Sequence, residues 1–128
     1  MAKHKVVHFE IPTGDFKKSK EFYAKIFGWK TKTWGNEYMM AMTTDIDPKT
    51  QRTAELGGIN GGFYKRKSKS QQPSFVVETD SIDKTLEKVK KAGGKVKRAK
   101  SPIGDMGFMA EFVDPDGNEM SLWQEVKK

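Results

Sequence analysis

The chain carries the same pattern twice, and that repeat limits its folding options more than any other feature. Sliding the sequence by about 66 residues places Phe9 on Phe75, Phe16 on Ile82, Tyr23 on Val89 and Gly28 on Gly94. A lone module of about 60 residues buries only about 60% of its unfolded surface, which leaves it marginally stable. The two copies are therefore expected to pack as a single domain over residues 1–128, with a first module over about 4–66 and a second over about 72–126. The junction is expected in the basic run Lys65-Arg66-Lys67-Ser68-Lys69 and the Gln71-Gln72-Pro73 after it.

Each copy has the same order of elements. Residues 6–11 (VVHFEI) are rich in β-branched and aromatic types and predict a strand. Pro12-Thr13-Gly14 interrupts it, and Asp15 is placed to cap a helix over 16–27. Phe16, Ser19, Tyr23, Ile26 and Phe27 share one face of that helix, with lysines opposite, and Gly28 stops it. Strands are expected near 29–33, 37–43 and 56–64, with the surface loop of Asp45 and Asp47 before the last. The second copy predicts a strand at 74–78 and a helix capped by Asp80 or Ser81. That helix buries Ile82, Leu86 and Val89 and ends at Gly93-Gly94, and strands follow near 95–99, 108–112 and 119–124.

Both halves thus read β-α-β-β-β. The expected fold class is α+β: two βαβββ modules whose curved mixed sheets form an open, eight-stranded, barrel-like cavity. Strand alternation then assigns faces. Val7, Phe9 and Ile11 should pack on the first helix, leaving His8 and Glu10 toward the cavity. Met120 and Leu122 should pack on the second helix, leaving Glu119, Ser121 and Trp123 toward the cavity.

Composition removes several function classes. With no cysteine there is no disulfide, thiolate metal site or cysteine nucleophile. The net charge of +7 comes mostly from lysines spread over the helices and one loop, without the basic-aromatic interleaving that stacks bases. A solvated basic surface is expected, and no nucleic-acid partner. No apolar run approaches the roughly 20 residues that span a bilayer, and the first residues lack a signal-peptide core. The expectation is a cytoplasmic protein with no membrane partner.

Four segments together carry a family resemblance: His8 with Asp15 seven residues on, Phe22-Tyr23 with Phe27-Gly28-Trp29, the glycine-rich 57–62, and Asp114-Pro115-Asp116-Gly117-Asn118. The chain resembles, over nearly its whole length, the vicinal oxygen chelate superfamily of lactoylglutathione lyases, bleomycin-resistance proteins and extradiol dioxygenases. Within it, Phe27-Gly28-Trp29 and Trp34-Gly35-Asn36-Glu37-Tyr38 look most like a "glyoxalase-like" group of uncertain activity. The resemblance implies four cavity-facing ligands around one divalent ion. Carried over, the first falls on His8, the second near Gly61, the third on Ser74 and the fourth on Ser121. One imidazole with hydroxyls is a poor donor set for Zn²⁺, Ni²⁺ or Fe²⁺, so no metal and no cofactor are expected.

The candidate catalytic residues are accordingly His8, the best placed for proton transfer near neutral pH, and Glu10 beside it. The candidate binding residues are Tyr38, Ser74, Ser121 and Trp123, with the two aromatics offering flat apolar surface. His4 and His8 would share an ion only on a helix; on a strand they lie roughly 13 Å apart. Asp114 to Gly117 reads as a tight turn. The expected function is binding of a small organic molecule between the modules, by a protein that forms homodimers and whose status as an enzyme stays open. The alternatives are a metal-dependent lyase, isomerase or dioxygenase with displaced ligands, in which Glu10 or Glu119 substitutes, and a sequestering protein of the bleomycin-resistance type.

Overall fold

The computed structural model describes residues 3–126. Among them, the first copy forms β1 (Val6–Thr13), α1 (Phe16–Phe27), β2 (Lys30–Trp34), β3 (Tyr38–Met42) and β4 (Gly61–Lys65). The second forms β5 (Ser74–Glu78), α2 (Ile82–Lys91), β6 (Lys95–Ile103), β7 (Gly107–Val113) and β8 (Glu119–Glu125). The α+β class and the doubled βαβββ order are as expected. The first sheet runs β2-β3-β4-β1 and the second β6-β7-β8-β5. Each is mixed in the same way. β1 lies parallel to β4 and β5 parallel to β8, while the remaining neighbours within each sheet are antiparallel.

The chain divides into two compact units, His8–Pro73 and a second that joins residues 3–7 to 74–126. The first two residues of β1 thus belong with the second copy, where the Glu78 N–H donates to the Lys5 carbonyl at 3.0 Å.

The helix ends show why these segments fold as they do. Asp15, in extended conformation, accepts the Lys18 N–H, and Gly28 closes α1 in the left-handed region at φ 72°, where a side chain would be strained. In α2, Ser81 accepts the Lys84 N–H at 3.2 Å, and the Gln124 side chain on β8 accepts the Ile82 N–H at 2.8 Å. A partly buried hydroxyl pair brackets each cap at the repeat offset. Thr13 Oγ1 lies 2.7 Å from Ser19 Oγ, and Thr79 Oγ1 lies 2.7 Å from Thr85 Oγ1. Each of the two threonines also bridges the backbone two residues ahead, at Asp15 and Ser81. Replacing Thr79 with valine should cost about 1–2 kcal/mol, because the Thr85 hydroxyl and Ser81 N–H lose a partner that is itself buried. Urea unfolding should show that loss, and a change near zero would mean the pair is solvated.

The first core consists of Met39, Ala41 and Phe63, packed by Phe9, Ile11, Phe16, Tyr23 and Trp29. The second consists of Ile82, Leu86, Ala110 and Leu122, packed by Val77, Val96, Phe108 and Phe112. Two expectations need correction. Ile26 and Phe27, expected on the buried face of α1, are 54% and 60% exposed. Trp29, just past Gly28, packs on the core: its indole stacks on Tyr23 with centroids 4.9 Å apart and planes at 10°, and the exposed Phe27 ring meets the two at 6.2 and 5.7 Å. The strand expected over 56–64 begins only at Gly61. Before it, Asn60 is buried and its Oδ1 accepts the Thr43 and Thr44 N–H groups, so a side chain replaces the ladder.

Candidate functional site

The side of the first sheet away from α1 carries the polar residues of interest. Phe9 and Ile11 pack into the core with Met39 and Phe63, so the alternate residues of β1, β3 and β4 face the other way. Those residues are His8, Glu10, Tyr38, Met40 and Gly62, and Gly62 lies opposite both Glu10 and Met40 in register. The expected orientation of His8 and Glu10 follows from this register. The resemblance put the second ligand position near Gly61, and the register shows which of the two adjacent glycines shares the His8 face. Gly61 is paired with Phe9 on the helix side, and Gly62 is the residue on the His8 face.

Tyr38 starts on β3, crosses β4 over Gly62, and brings its hydroxyl 2.8 Å from His8 Nε2 on β1. Gly62 makes that crossing possible, because a Cβ there would collide with the phenol ring and its oxygen. Burial pushes the His8 imidazole down to about 4, so it is neutral at physiological pH. Burial, and then the nearby Glu10 carboxylate, raises Tyr38 above the usual phenol range, so its proton stays on. The bond is therefore between two neutral groups. If His8 Nε2 accepts, the ring proton sits on Nδ1; if Nε2 donates, the phenol oxygen accepts and its own proton points elsewhere. Trp34 meets Tyr38 edge-on at 6.2 Å, adding aromatic surface beside the pair.

In the second copy, Leu122 packs toward α2. By the same alternation, Ser121 and Trp123 of β8 face away from it, beside Val76 and Glu78 of β5 in register. Ser74 begins β5 on that face, two residues before Val76. Ser121 is buried, at 4% exposure, and Ser74 and Trp123 are half-buried. The Trp123 ring lies over Gly107, where an added Cβ would come within 2.8 Å of the indole. Each copy thus lays an aromatic ring across a glycine on the side away from its helix. The glycine-rich 57–62 is the sequence signal for the first of these, while the single Gly107 does not stand out in the sequence. The sequence did not reveal which aromatic covers which glycine.

Other candidates fall outside these faces. His4 is exposed and precedes β1. The Asp114 carboxylate accepts from Asp116 N, Asn118 N and Asn118 Nδ2 at 2.9 Å each. Those bonds hold it below the usual carboxylate range and make it the clasp of the expected turn. Glu119, by contrast, shares the face of Ser121 and Trp123 by alternation, at the start of β8, and is ion-paired to Lys97 at 2.8 Å.

A divalent ion does not fit the donor set. His8 Nε2 is engaged by a phenol, and positions 62, 74 and 121 carry glycine, serine and serine. Among the described residues, no three His, Asp or Glu side chains gather closely enough to hold an ion. What the first face can do is hydrogen-bond a ligand oxygen or nitrogen beside a methionine and aromatic surface.

Comparison with known proteins accords with this geometry. Residues 5–122 match the family model described as Glyoxalase/Bleomycin resistance protein/Dioxygenase superfamily. A probable lactoylglutathione lyase of Vibrio cholerae is 29% identical, over 97% of this chain and 93% of its own length. A lactoylglutathione lyase of Escherichia coli O157:H7 is 27% identical, over 94% and 93%. Among solved structures, a superfamily member from Vibrio splendidus superposes with a TM-score of 0.62 at 15% identity, covering 96% of this chain and all of its own. A methylmalonyl-CoA epimerase variant of Streptomyces coelicolor, in complex with 2-nitronate-propionyl-CoA, gives 0.65 at 15% identity, covering 96% and 98%. At these identities the structures establish a shared fold.

Proposed function

Because the chain belongs to the glyoxalase/bleomycin resistance protein/dioxygenase superfamily, we propose that it binds a flat, mainly apolar small organic molecule without a divalent metal. The carrying observation is the His8–Tyr38 bond at 2.8 Å across Gly62. It presents a neutral hydrogen-bonding pair next to Trp34 and Met40. In this reading His8, Glu10 and Tyr38 hold the polar end of a ligand on the first copy, and Ser74, Ser121 and Trp123 form a polar and aromatic binding face on the second. Trp123 supplies a flat apolar wall, and Met40 adapts to ligand shape. If the molecule is turned over rather than only held, neutral His8 or the Glu10 carboxylate is the proton acceptor. The setting is a cytoplasmic homodimer, a dimer supported by exposed Phe22, Ile26 and Phe27 on α1. No helix among the described residues is long and apolar enough to cross a membrane.

The test is a thermal-shift screen of flat organic compounds in metal-free buffer, followed by calorimetry on each hit. Trp123→Ala should weaken a hit by about 1–3 kcal/mol, and Tyr38→Phe should weaken those with a polar oxygen. Phe9→Ala, on the core side of β1, should lower the melting temperature and leave affinity near wild type. Affinity lost in folded Phe9→Ala but retained in His8→Ala and Trp123→Ala would place the ligand elsewhere.

A second reading is favoured by the relatives themselves, which bear the name lactoylglutathione lyase over almost the whole chain. It calls for metal-dependent lyase activity with displaced ligands. Turnover that appears only on adding nickel or zinc, and that needs Glu10 or Glu119, would establish it over the first.

A further inference from the structure

The glycine at position 62 and the tyrosine at position 38 are two halves of one arrangement. We propose that Tyr38 and Gly62 together keep His8 out of metal coordination, so that this face recognises ligands through hydrogen bonds; the proposal deepens the metal-free reading above and rests on it. Tyr38 reaches His8 from two strands away, and β4 lies between them. The ring can cross only because residue 62 has no side chain, since a single Cβ would overlap the phenol. Conversely, a carboxylate at 62 reaching toward His8 would need the volume the ring fills. The phenol oxygen stands 2.8 Å from Nε2, in the region where an ion bound to that nitrogen would sit at about 2.0–2.1 Å. Ion and hydroxyl therefore exclude one another there. Glu10 is in register with Gly62, so a carboxylate of this face lies directly beside the crossing. Gly62 and Tyr38 are thus positioning residues for the choice between metal and hydrogen bond, acting through His8.

The experiment is isothermal titration of the purified full chain with nickel chloride alone. Wild type and His8→Ala should give the same nickel binding, because His8 contributes nothing to it. The double variant Tyr38→Ala/Gly62→Glu, folded by circular dichroism, removes the phenol and restores a carboxylate. It should bind nickel at least about 10-fold more tightly than wild type. Adding His8→Ala to that background should abolish the gain. Gly62→Glu alone should gain less than the double variant, because the ring still competes.

Nickel binding by wild type that is lost in His8→Ala overturns the proposal, as does a folded double variant no tighter than wild type. Equal gains in Gly62→Glu and the double variant would show that the phenol excludes nothing. If the double variant fails to fold, the wild-type and His8→Ala pair still decides. An absence of metal-free ligands would count against the proposed function while leaving these nickel results to stand or fall separately.

Discussion

Replacing Phe63 with alanine should lower the unfolding free energy by about 3–5 kcal/mol, the range for emptying a large aromatic site in a core. Phe63 is completely buried on β4. Its ring lies 5.2 Å from Tyr23 and 6.5 Å from Trp29, so it joins the helix, the residue that turns back under it, and the sheet. Small domains commonly have about 5–15 kcal/mol in hand, so the variant should sit close to unfolding at physiological temperature. Leu56→Ala is the matched control. That side chain is fully exposed in the loop before β4, and its loss should change stability by no more than about 0.5 kcal/mol. Urea denaturation with a common slope separates the two, and similar losses in both would show that the core is not organised around Phe63.

Acidification should destabilise the fold through His8. Its folded value is pushed down to about 4 from an ordinary 6.5 by burial. Above pH 6.5 the imidazole is neutral in both states and its contribution to stability is complete. As the pH falls from 6.5 toward 4, the unfolded chain takes up a proton that the folded chain refuses, and stability is lost. Below about 4 both states are charged and the loss levels off. The shift corresponds to at most about 3 kcal/mol, and less to the extent that solvent reaches the half-buried ring. Carboxylates such as Asp114 add a slope of their own at the acid end, so the comparison is between wild type and His8→Gln in urea at several pH values from about 7.5 to about 4.5. Wild type should lose more stability over that span than the variant. Parallel curves would mean that the folded state accepts the proton as readily as the unfolded one.

Much of this fold could be read because its punctuation is local. Asp15 and Gly28 bound α1 through bonds that reach only a few residues along the chain, and the predicted limits 16–27 match. What escaped depends on distant partners. Nothing near Trp29 indicates that its indole will pack on the first core while Ile26 and Phe27 stay exposed; that follows from the stack on Tyr23. β6, expected to end near Ala99, continues to Ile103, because shifts in its register with β7 break the two-residue alternation. At the candidate site, alternation alone brought out the facing of His8 and Glu10. The bond from Tyr38 to His8 could not be read, because it requires knowing that β4 lies between their strands and that Gly62 is where the ring crosses.

The Glu78 N–H that donates to Lys5 ties the earliest stretch of the chain to its later half. During synthesis from the amino end, Lys5, Val6 and Val7 are made well before residues 74 onward, with which they share a unit. The Lys5 carbonyl therefore has no Glu78 N–H to accept until residues 8–73 have been made. A fragment starting at Ser74 would contain every strand and helix of the second repeat and still lack the partner for Glu78. Shortening the protein by its first seven residues would accordingly be felt in the repeat that lies farthest along the sequence.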